Sequence, residues 1–329
     1  MRDIGYVPDL TKRAAALQRA GVTKWALRGP EYESPYRGLH RPAGIAAEQP
    51  ATRVADAIGL MTGGCVLTGW ASRWVQGQAY CGGVRYGDDL PVVILCGPGT
   101  DLRTRPGIRP SDRRYLPGEV VDLESFAVTT MARATYDDML DAPNPTEALV
   151  AVEMATSTVI DQACTSLDNV RAVFDAHVKT RGRAQARWAL AHASTRSASP
   201  WETRTRMIAT HAVGVENWLI NTPIFDLHER LLGIPDLLDP DTGLVIESDG
   251  ADHRKIEMHN ADNVRGEGLR DHALEVVRIG SAQHSREERA RTEERIRNGR
   301  DRPNPNRPRL WTTEKPAWWT DWPPGRRWD

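Results

Sequence analysis

The carboxylates with the clearest chemical meaning lie in residues 233–253, which read as a strand, a tight turn and a second strand. Asp236 stands at the end of the first strand, beside a Pro-Asp-Thr-Gly sequence that is typical of a hairpin turn. Side chains alternate faces along a strand, so Glu247 and Asp249 share one side with Val245. Because the Leu-Val-Ile run before them belongs in a core, carboxylates here are costly unless a cation binds them. The pattern favours a divalent metal with oxygen ligands.

These residues also have purely structural interpretations. Asp236 can serve as a turn-side acid before the hairpin. Ser199 as a cap and Pro200 at the first position predict a helix start, and Glu202 in its first turn can interact with the helix dipole. His253 follows a glycine and is a candidate general base. The further acids and the histidine downstream favour a site over a simple turn for Asp236.

A compact domain, residues 195–299, is predicted to position these side chains. Its order is helix, three strands, helix and strand, with a charged helix at the end. The predicted elements are a helix from residue 200, strands at 224–228, 231–237 and 244–249, a helix carrying Asp262, Arg265 and Leu269, a strand at 274–279 and a helix at about 285–298. Asp262 and Arg265 are three residues apart, so an intrahelical ion pair is an alternative to a functional role for them.

This order resembles the PD-(D/E)XK nuclease superfamily, and within it the very-short-patch-repair (Vsr) endonucleases. The resemblance covers about 80 residues and rests on the order and spacing of five short motifs. They are Ser199-Pro-Trp-Glu202 with Arg206, Pro235-Asp236, Glu247-Ser-Asp249-Gly-Ala-Asp-His253, Asp262-Asn-Val-Arg265 with Leu269, and Leu274-Glu-Val-Val-Arg-Ile279.

The resemblance implies that Asp236 and Glu247 bind Mg²⁺ or Mn²⁺, while Glu202 supports them from the first helix. Asp249 stands where many members of the superfamily have a lysine that activates or orients the attacking water. His253 resembles a histidine near the site of Vsr-type enzymes. The same resemblance makes Arg206, Lys255 and Arg265 the candidate nucleic-acid contacts, and Lys255 is the poorer substitute for the missing lysine.

The first 45 residues predict a small helical module. Residues 10–21 and 22–27 read as two short helices, and residues 36–42 read as a strand. Helix, turn, helix and wing is a DNA-binding outline, although the second helix carries a single basic residue, Lys24. A packed N-terminal cap is the alternative interpretation.

Residues 46–194 predict a mixed α/β domain. Helices are predicted at 51–61, 147–160, 167–176 and 183–193, a buried strand at 90–96 and the start of another strand at 107–110, while residues 120–123 and 126–136 continue the domain. Trp70 and Trp74 have helical spacing and are predicted to be core residues rather than a stacking platform. The short sequences Tyr36-Arg-Gly-Leu-His and Val66-Leu-Thr-Gly-Trp-Ala resemble AbiEi-type antitoxins of abortive-infection systems, which implies a trimmed winged helix at the N-terminus.

The tail, residues 300–329, is rich in proline and tryptophan. From Arg286 to Arg309 the sequence contains 9 Arg against 5 acids, and Trp311, Trp318, Trp319, Trp322 and Trp328 follow. Arginine with aromatics suits phosphate contact and base stacking. The alternative is an arm whose tryptophans dock on this protein or on the second copy of a homodimer.

The totals set bounds on these interpretations. At 329 residues the chain has room for two domains or three small ones, and its net charge of −1 restricts any nucleic-acid surface to a local patch. Four cysteines without a C-x-x-C pair argue against structural zinc and a disulfide scaffold. With neither an apolar leader nor a run of about 20 apolar residues, we expect a cytoplasmic protein and no membrane partner.

The sequence therefore predicts an α+β chain with a restriction-endonuclease-like α-β-β-β-α-β core behind a mixed α/β domain. Its expected function is metal-dependent hydrolysis of DNA, with nicking and phage defence implied by the resemblance alone. The alternative is a DNA-binding regulator or antitoxin whose nuclease fold is a scaffold.

Overall fold

A computed structural model describes residue 7 and residues 9–160, 165–249, 269–302 and 308–320. The chain divides into two compact units, Met1–Ala142 with Gln162–Leu190, and Pro143–Asp161 with Ala191–Asp329. Both contain helices and sheets, so the predicted α+β class is confirmed at this level. No helix within the described residues has the length and apolar character needed to cross a bilayer.

The described helices follow the chain in this order: α1 (Ala14–Arg19), α2 (Pro50–Leu60), α3 (Gly69–Val75), α4 (Met131–Asp141), α5 (Pro145–Thr156), α6 (Leu167–Ala176), α7 (Arg183–His192), α8 (Pro200–Val213) and α9 (Arg289–Asp301). Single 3₁₀ turns occupy Ala26–Arg28 and Ser281–His284.

Strands in the first unit are β1 (Lys12–Arg13), β2 (Tyr32–Glu33), β3 (Leu39–Pro42), β4 (Cys65–Thr68), β5 (Val84–Arg85), β6 (Asp88–Asp89), β7 (Val92–Cys96), β8 (Ile108–Ser111), β9 (Val120–Leu123) and β10 (Phe126–Thr129). Strands in the second unit are β11 (Leu219–Ile220), β12 (Ile224–Asp226), β13 (Leu231–Gly233), β14 (Leu237–Leu238), β15 (Leu244–Asp249), β16 (Glu275–Gly280) and β17 (Trp311–Thr312).

A five-stranded sheet in the order β8-β7-β4-β10-β9 forms the centre of the first unit. Strand β4 pairs antiparallel with β7 and parallel with β10, and its four residues are all buried. Trp70 and Trp74 on α3 belong to the same apolar cluster, with 4% and 9% of their surfaces exposed. Their prediction as core residues is therefore confirmed.

The N-terminal module differs from the predicted helix-turn-helix. Strands β1, β3 and β2 form a small antiparallel sheet, and α1 is shorter than the predicted helix. The predicted second helix at 22–27 is wrong, because only a 3₁₀ turn, Ala26–Arg28, forms in this region. A turn of three residues is too short to lie along a major groove as a reading helix.

A four-stranded sheet in the order β11-β14-β15-β16 forms the centre of the second unit. Strands β14 and β15 are antiparallel, whereas β15 and β16 are parallel. Helices α8 and α9 pack on one face through an apolar cluster that includes Ile208, Ile246 and Ile296. Gly299 permits this contact, since a Cβ there would lie 2.5 Å from the Val277 side chain.

The opposite face of this sheet meets a second apolar cluster that includes Ile224, Val245 and Trp311. Strands β13, β12 and β17 form a separate sheet here. The prediction of one strand over 231–237 is therefore wrong, because β13 belongs to this sheet and β14 to the central one. Pro235 lies at the break, where its missing N–H cannot support a continuous ladder.

Buried ion pairs join α5 to α8. Arg204 Nε and Nη2 donate to the two carboxylate oxygens of Glu147 at 2.8 and 2.9 Å. Arg206 pairs with Glu153, which has no exposed surface and also accepts hydrogen bonds from Ser194 N, Ser197 Oγ and Thr203 Oγ1. Helix α5 therefore belongs with the second unit, although the sequence places it before the predicted boundary at residue 194.

We predict that Glu153→Gln lowers the free energy of unfolding of the second unit by about 3 kcal/mol, because it leaves a buried guanidinium without its anion. Glu288→Gln is the matched control, since its ion pair with Arg291 is exposed and is worth less than about 1 kcal/mol. Urea unfolding of both variants measures the difference, and equal losses would contradict the prediction.

Candidate functional site

Asp236 and Glu247 are brought together by the pairing of β14 with β15. Leu237 lies opposite Ile246 in this antiparallel register, so one further step places Asp236 opposite Glu247. Residues directly opposite project from the same face, with Cβ atoms about 5 Å apart. If this register is extended to Asp236, both carboxylates leave neighbouring strands on the side of Val245, which belongs to the second apolar cluster.

Asp236 is held at the end of the strand by the backbone. Its Oδ2 accepts a hydrogen bond from Ser248 N at 2.7 Å, and its carbonyl accepts one from Asn221 N at 3.1 Å. The side chain therefore takes a donor of β15 just where Pro235 interrupts the ladder. With 5% of its surface exposed, Asp236 is a fixed and buried carboxylate rather than a loose turn acid.

Glu202 lies in the first turn of α8 and links it to the segment before the helix and to Asn221. Ser199 caps α8 by accepting from Glu202 N at 3.2 Å, as the sequence predicts, and Pro200 occupies the first turn. Glu202 Oε2 accepts from Ala198 N at 2.8 Å and from Asn221 Nδ2 at 2.7 Å. Glu202 can therefore stabilise the start of α8, as its structural interpretation requires, and still support a site at the strand ends.

Asn221 is the residue of this region that sequence reasoning missed. It donates to the Glu202 carboxylate and to the Arg196 carbonyl through Nδ2, and to the Asp236 carbonyl through its backbone. Its φ of 46° lies in the left-handed region, which asparagine tolerates better than most residues. An Asn-Thr-Pro sequence after a short apolar run is the turn signal that could have identified it.

The side-chain oxygen of Asn221 is an acceptor without a donor among the described residues. The amide orientation is fixed, because Nδ2 points at two acceptors and Oδ1 could replace it at neither. Carboxylate and amide oxygens such as those of Asp236, Glu247 and Asn221 are hard donors of the kind that Mg²⁺ or Mn²⁺ prefers. The donor chemistry of Asp236 and Glu247 is therefore compatible with the metal that the sequence predicts.

Other predicted residues fall at the margin of this region or outside it. Glu247 is half-buried and lies beside Arg278 in the parallel register of β15 and β16. Asp249 is exposed at the end of β15. Within the described ranges, no group of three or more His, Cys, Asp or Glu side chains has a metal-binding arrangement. His253, Lys255, Asp262 and Arg265 lie outside the described residues.

Arg206 does not fit its predicted contact with nucleic acid. Its guanidinium is 7% exposed, pairs with Glu153 and donates to the His192 carbonyl. Because a buried and neutralised guanidinium offers no surface to a phosphate, we assign it to the packing of α8 on α5.

A line of hydroxyl groups joins α8 to the ends of β15 and β16. Ser248 Oγ donates to Thr205 Oγ1 at 2.9 Å, and Thr205 Oγ1 lies 3.2 Å from His284 Nε2. Burial, with the nearby charges of Arg204 and Arg289, lowers the pKa of His284 from 6.5 to about 4. The neutral imidazole can therefore accept a hydrogen bond from the Thr205 hydroxyl. The hydroxyl groups then donate in one direction, from Ser248 to Thr205 and from Thr205 to His284.

The aromatic tail docks on the second unit where it is described. Trp311 is buried and pairs with Asp226 across β17 and β12, while Trp318 and Trp319 meet Phe225 edge to face at 5.8 and 5.3 Å. These contacts favour the docking interpretation for three of the tryptophans, although Trp318 keeps 55% of its surface exposed. Trp322 and Trp328 lie outside the described residues.

Comparisons with protein-family models, with curated proteins and with solved structures found no match for this chain.

We predict that Asn221→Ala destabilises the second unit by about 1 kcal/mol more than Asn221→Gly. Both variants remove the hydrogen bond to Glu202, but glycine adopts the positive φ without the strain that a Cβ brings. Urea unfolding of the two variants measures this difference, and equal stabilities would show that the backbone at Asn221 carries no strain.

We also predict that His284 contributes to acid unfolding. The unfolded chain binds a proton there near pH 6.5 and the folded chain only near pH 4. The stability associated with the neutral ring is therefore present above pH 6.5 and is lost as the pH falls towards 4, by about 3 kcal/mol. The difference between wild type and His284→Asn should follow this window in urea titrations; parallel pH profiles would contradict the assignment.

Proposed function

We propose that the second unit is a metal-dependent endonuclease that hydrolyses phosphodiester bonds of DNA. The proposal rests on the register of β14 and β15, which pairs Leu237 with Ile246 and, extended by one residue, sets Asp236 next to Glu247. Two carboxylates from neighbouring strands are costly together unless a cation neutralises them. The proposal gives that cation a catalytic role.

Asp236 and Glu247 would hold the ion, which supplies a water of lowered pKa and neutralises charge that develops on the phosphate. The backbone bonds of Asp236 fix the position of its carboxylate before any ligand arrives. Asn221 keeps Glu202 beside this strand and adds an oxygen that can accept from a metal-bound water. Asp249, at the exposed strand end, would face the substrate side of the site.

The order of the described elements agrees in part with the order that the sequence predicts. Helix α8 precedes β11, β14 and β15, and β16 joins them in a single sheet, while β12 and β13 form an inserted hairpin outside it. Of the three strands predicted at 224–228, 231–237 and 244–249, the central sheet contains only β14 and β15, and β11 takes the third place. His253 and Lys255, the candidates for proton transfer, lie outside the described residues.

A non-enzymatic DNA-binding regulator or antitoxin is the second candidate. The observation in its favour is the strand end of β15, where the exposed carboxylate of Asp249 replaces the lysine that the resembled enzymes use. A like charge beside the phosphate disfavours attack by water. In that case Asp236 and Glu247 would have no catalytic role, and the protein would bind an operator as a homodimer.

We predict that the purified chain nicks supercoiled plasmid in Mg²⁺ or Mn²⁺, and that EDTA stops the reaction. Asp236→Asn and Glu247→Gln should each lower the rate at least about 100-fold, since a metal ligand supplies several kcal/mol of transition-state stabilisation. These changes keep shape and hydrogen-bonding capacity, including an acceptor for Ser248 N.

Asp241→Asn is the matched control, because Asp241 is an exposed acid in the turn between the same two strands. Its rate should equal that of wild type. Retention of a specific DNA without cleavage in either metal would replace the nuclease by the regulator.

A further inference from the structure

Cys65 and Cys96, 31 residues apart in the sequence, face each other in the five-stranded sheet of the first unit. They are direct partners in the antiparallel register of β4 and β7. Side chains of paired residues project from the same face, so the two thiols share one side of the sheet. The sequence shows no C-x-x-C motif, and only the strand pairing brings these two residues together.

The hydrogen bonds around this pair define its geometry. Gly97 N donates to Gly64 O at 3.1 Å, whereas Cys65 N donates away from β7, to Thr62 O at 3.0 Å. Hydrogen-bonded and non-hydrogen-bonded pairs alternate along antiparallel strands, so the cysteines occupy a non-hydrogen-bonded position. Cα atoms at such positions are about 4.5 Å apart. That separation lies within the range of about 4.4–6.8 Å that a disulfide bridges.

The surroundings allow a small oxidant to reach one of the two thiols. Cys65 is 5% exposed and belongs to the apolar core, whereas Cys96 is half-buried and lies two residues from the exposed Pro98. Burial and the neighbouring Cys65 thiol raise the pKa of Cys96. The thiol is thus protonated at neutral pH, and oxidation will accelerate with rising pH as thiolate forms.

We propose that Cys65 and Cys96 form a reversible redox site whose oxidant is hydrogen peroxide. The Cys96 thiolate attacks one peroxide oxygen, the O–O bond breaks, and protonation of the departing oxygen releases water and leaves a sulfenic acid. The Cys65 sulfur then attacks the Cys96 sulfur, an S–S bond forms, and the sulfenic oxygen leaves as a second water. Two thiols lose two electrons in all, and a dithiol reductant reverses the change.

The bond would tie together two central strands of the first unit. It closes the chain segment that contains α3, β5 and β6, and so restricts the unfolded chain. This inference does not depend on the proposed nuclease, because both residues belong to the first unit.

The test treats the full-length reduced protein with hydrogen peroxide at pH 7 and pH 9 and maps the cysteines by peptide mass spectrometry without reduction. We expect a peptide linked through Cys65 and Cys96, faster at pH 9, which disappears after dithiothreitol. Cys96→Ser should abolish it. Cys81→Ser is the control that should leave it intact, since the Cys81 thiol donates to the Trp70 carbonyl elsewhere in the core.

A second measurement needs no variant that risks misfolding. Oxidation of the wild-type chain should raise the thermal midpoint of the first unit by about 5–10 °C. Oxidation of Cys96 to sulfinic acid without a linked peptide, linkage of Cys96 to another cysteine, or an unchanged midpoint with the link present would each overturn the proposal.

Discussion

Two buried glutamates on α5 pair with two arginines on α8, and these ion pairs constrain the position of every α8 side chain that faces the sheet. A carboxylate such as Glu153, with no exposed surface, is stable only with its cation and its hydrogen-bond donors in place. The arginines therefore fix the rotation of α8. That rotation directs Glu202 and Thr205 towards the strands, where they meet Asn221 and Ser248. The acidic end of the sheet depends on a helix that is itself held in place by charge.

The same polar groups serve the fold and the proposed chemistry. Asp236 completes a ladder that Pro235 interrupts, and Glu202 binds the backbone of Ala198 just before α8, yet both accept a hydrogen bond from one residue, Asn221. Carboxylates that are already hydrogen-bonded in this way need little reorganisation to receive a cation. A site assembled from such residues would tolerate few substitutions, since each change would affect stability and ligand binding together.

Capping preferences and residue patterns predicted those elements whose structure depends on neighbouring residues in the sequence. The cap of α8, the bounds of α6 and those of β15 follow from propensity and patterning, and they agree with the structure. Partner choice is a long-range property, so the break between β13 and β14 and the ion pair of Arg206 could not be predicted from spacing. The helix predicted at 22–27 did not form, because so short a segment is a marginal helix by itself, and only a 3₁₀ turn is present. The acids of the candidate site were proposed from the sequence, whereas the positions of Asn221 and His284 depend on contacts across the fold.

The course of the chain gives the division into units a further meaning. Each unit is made of two separate stretches, so the polypeptide passes between them three times. Helix α5 is synthesised before the last helices of the other unit and long before α8, whose arginines neutralise its glutamates. A nascent chain would hold those acids in water until more than forty further residues had been added. A gene encoding this arrangement could not exchange either unit by a single crossover, so the two units are expected to have been inherited together.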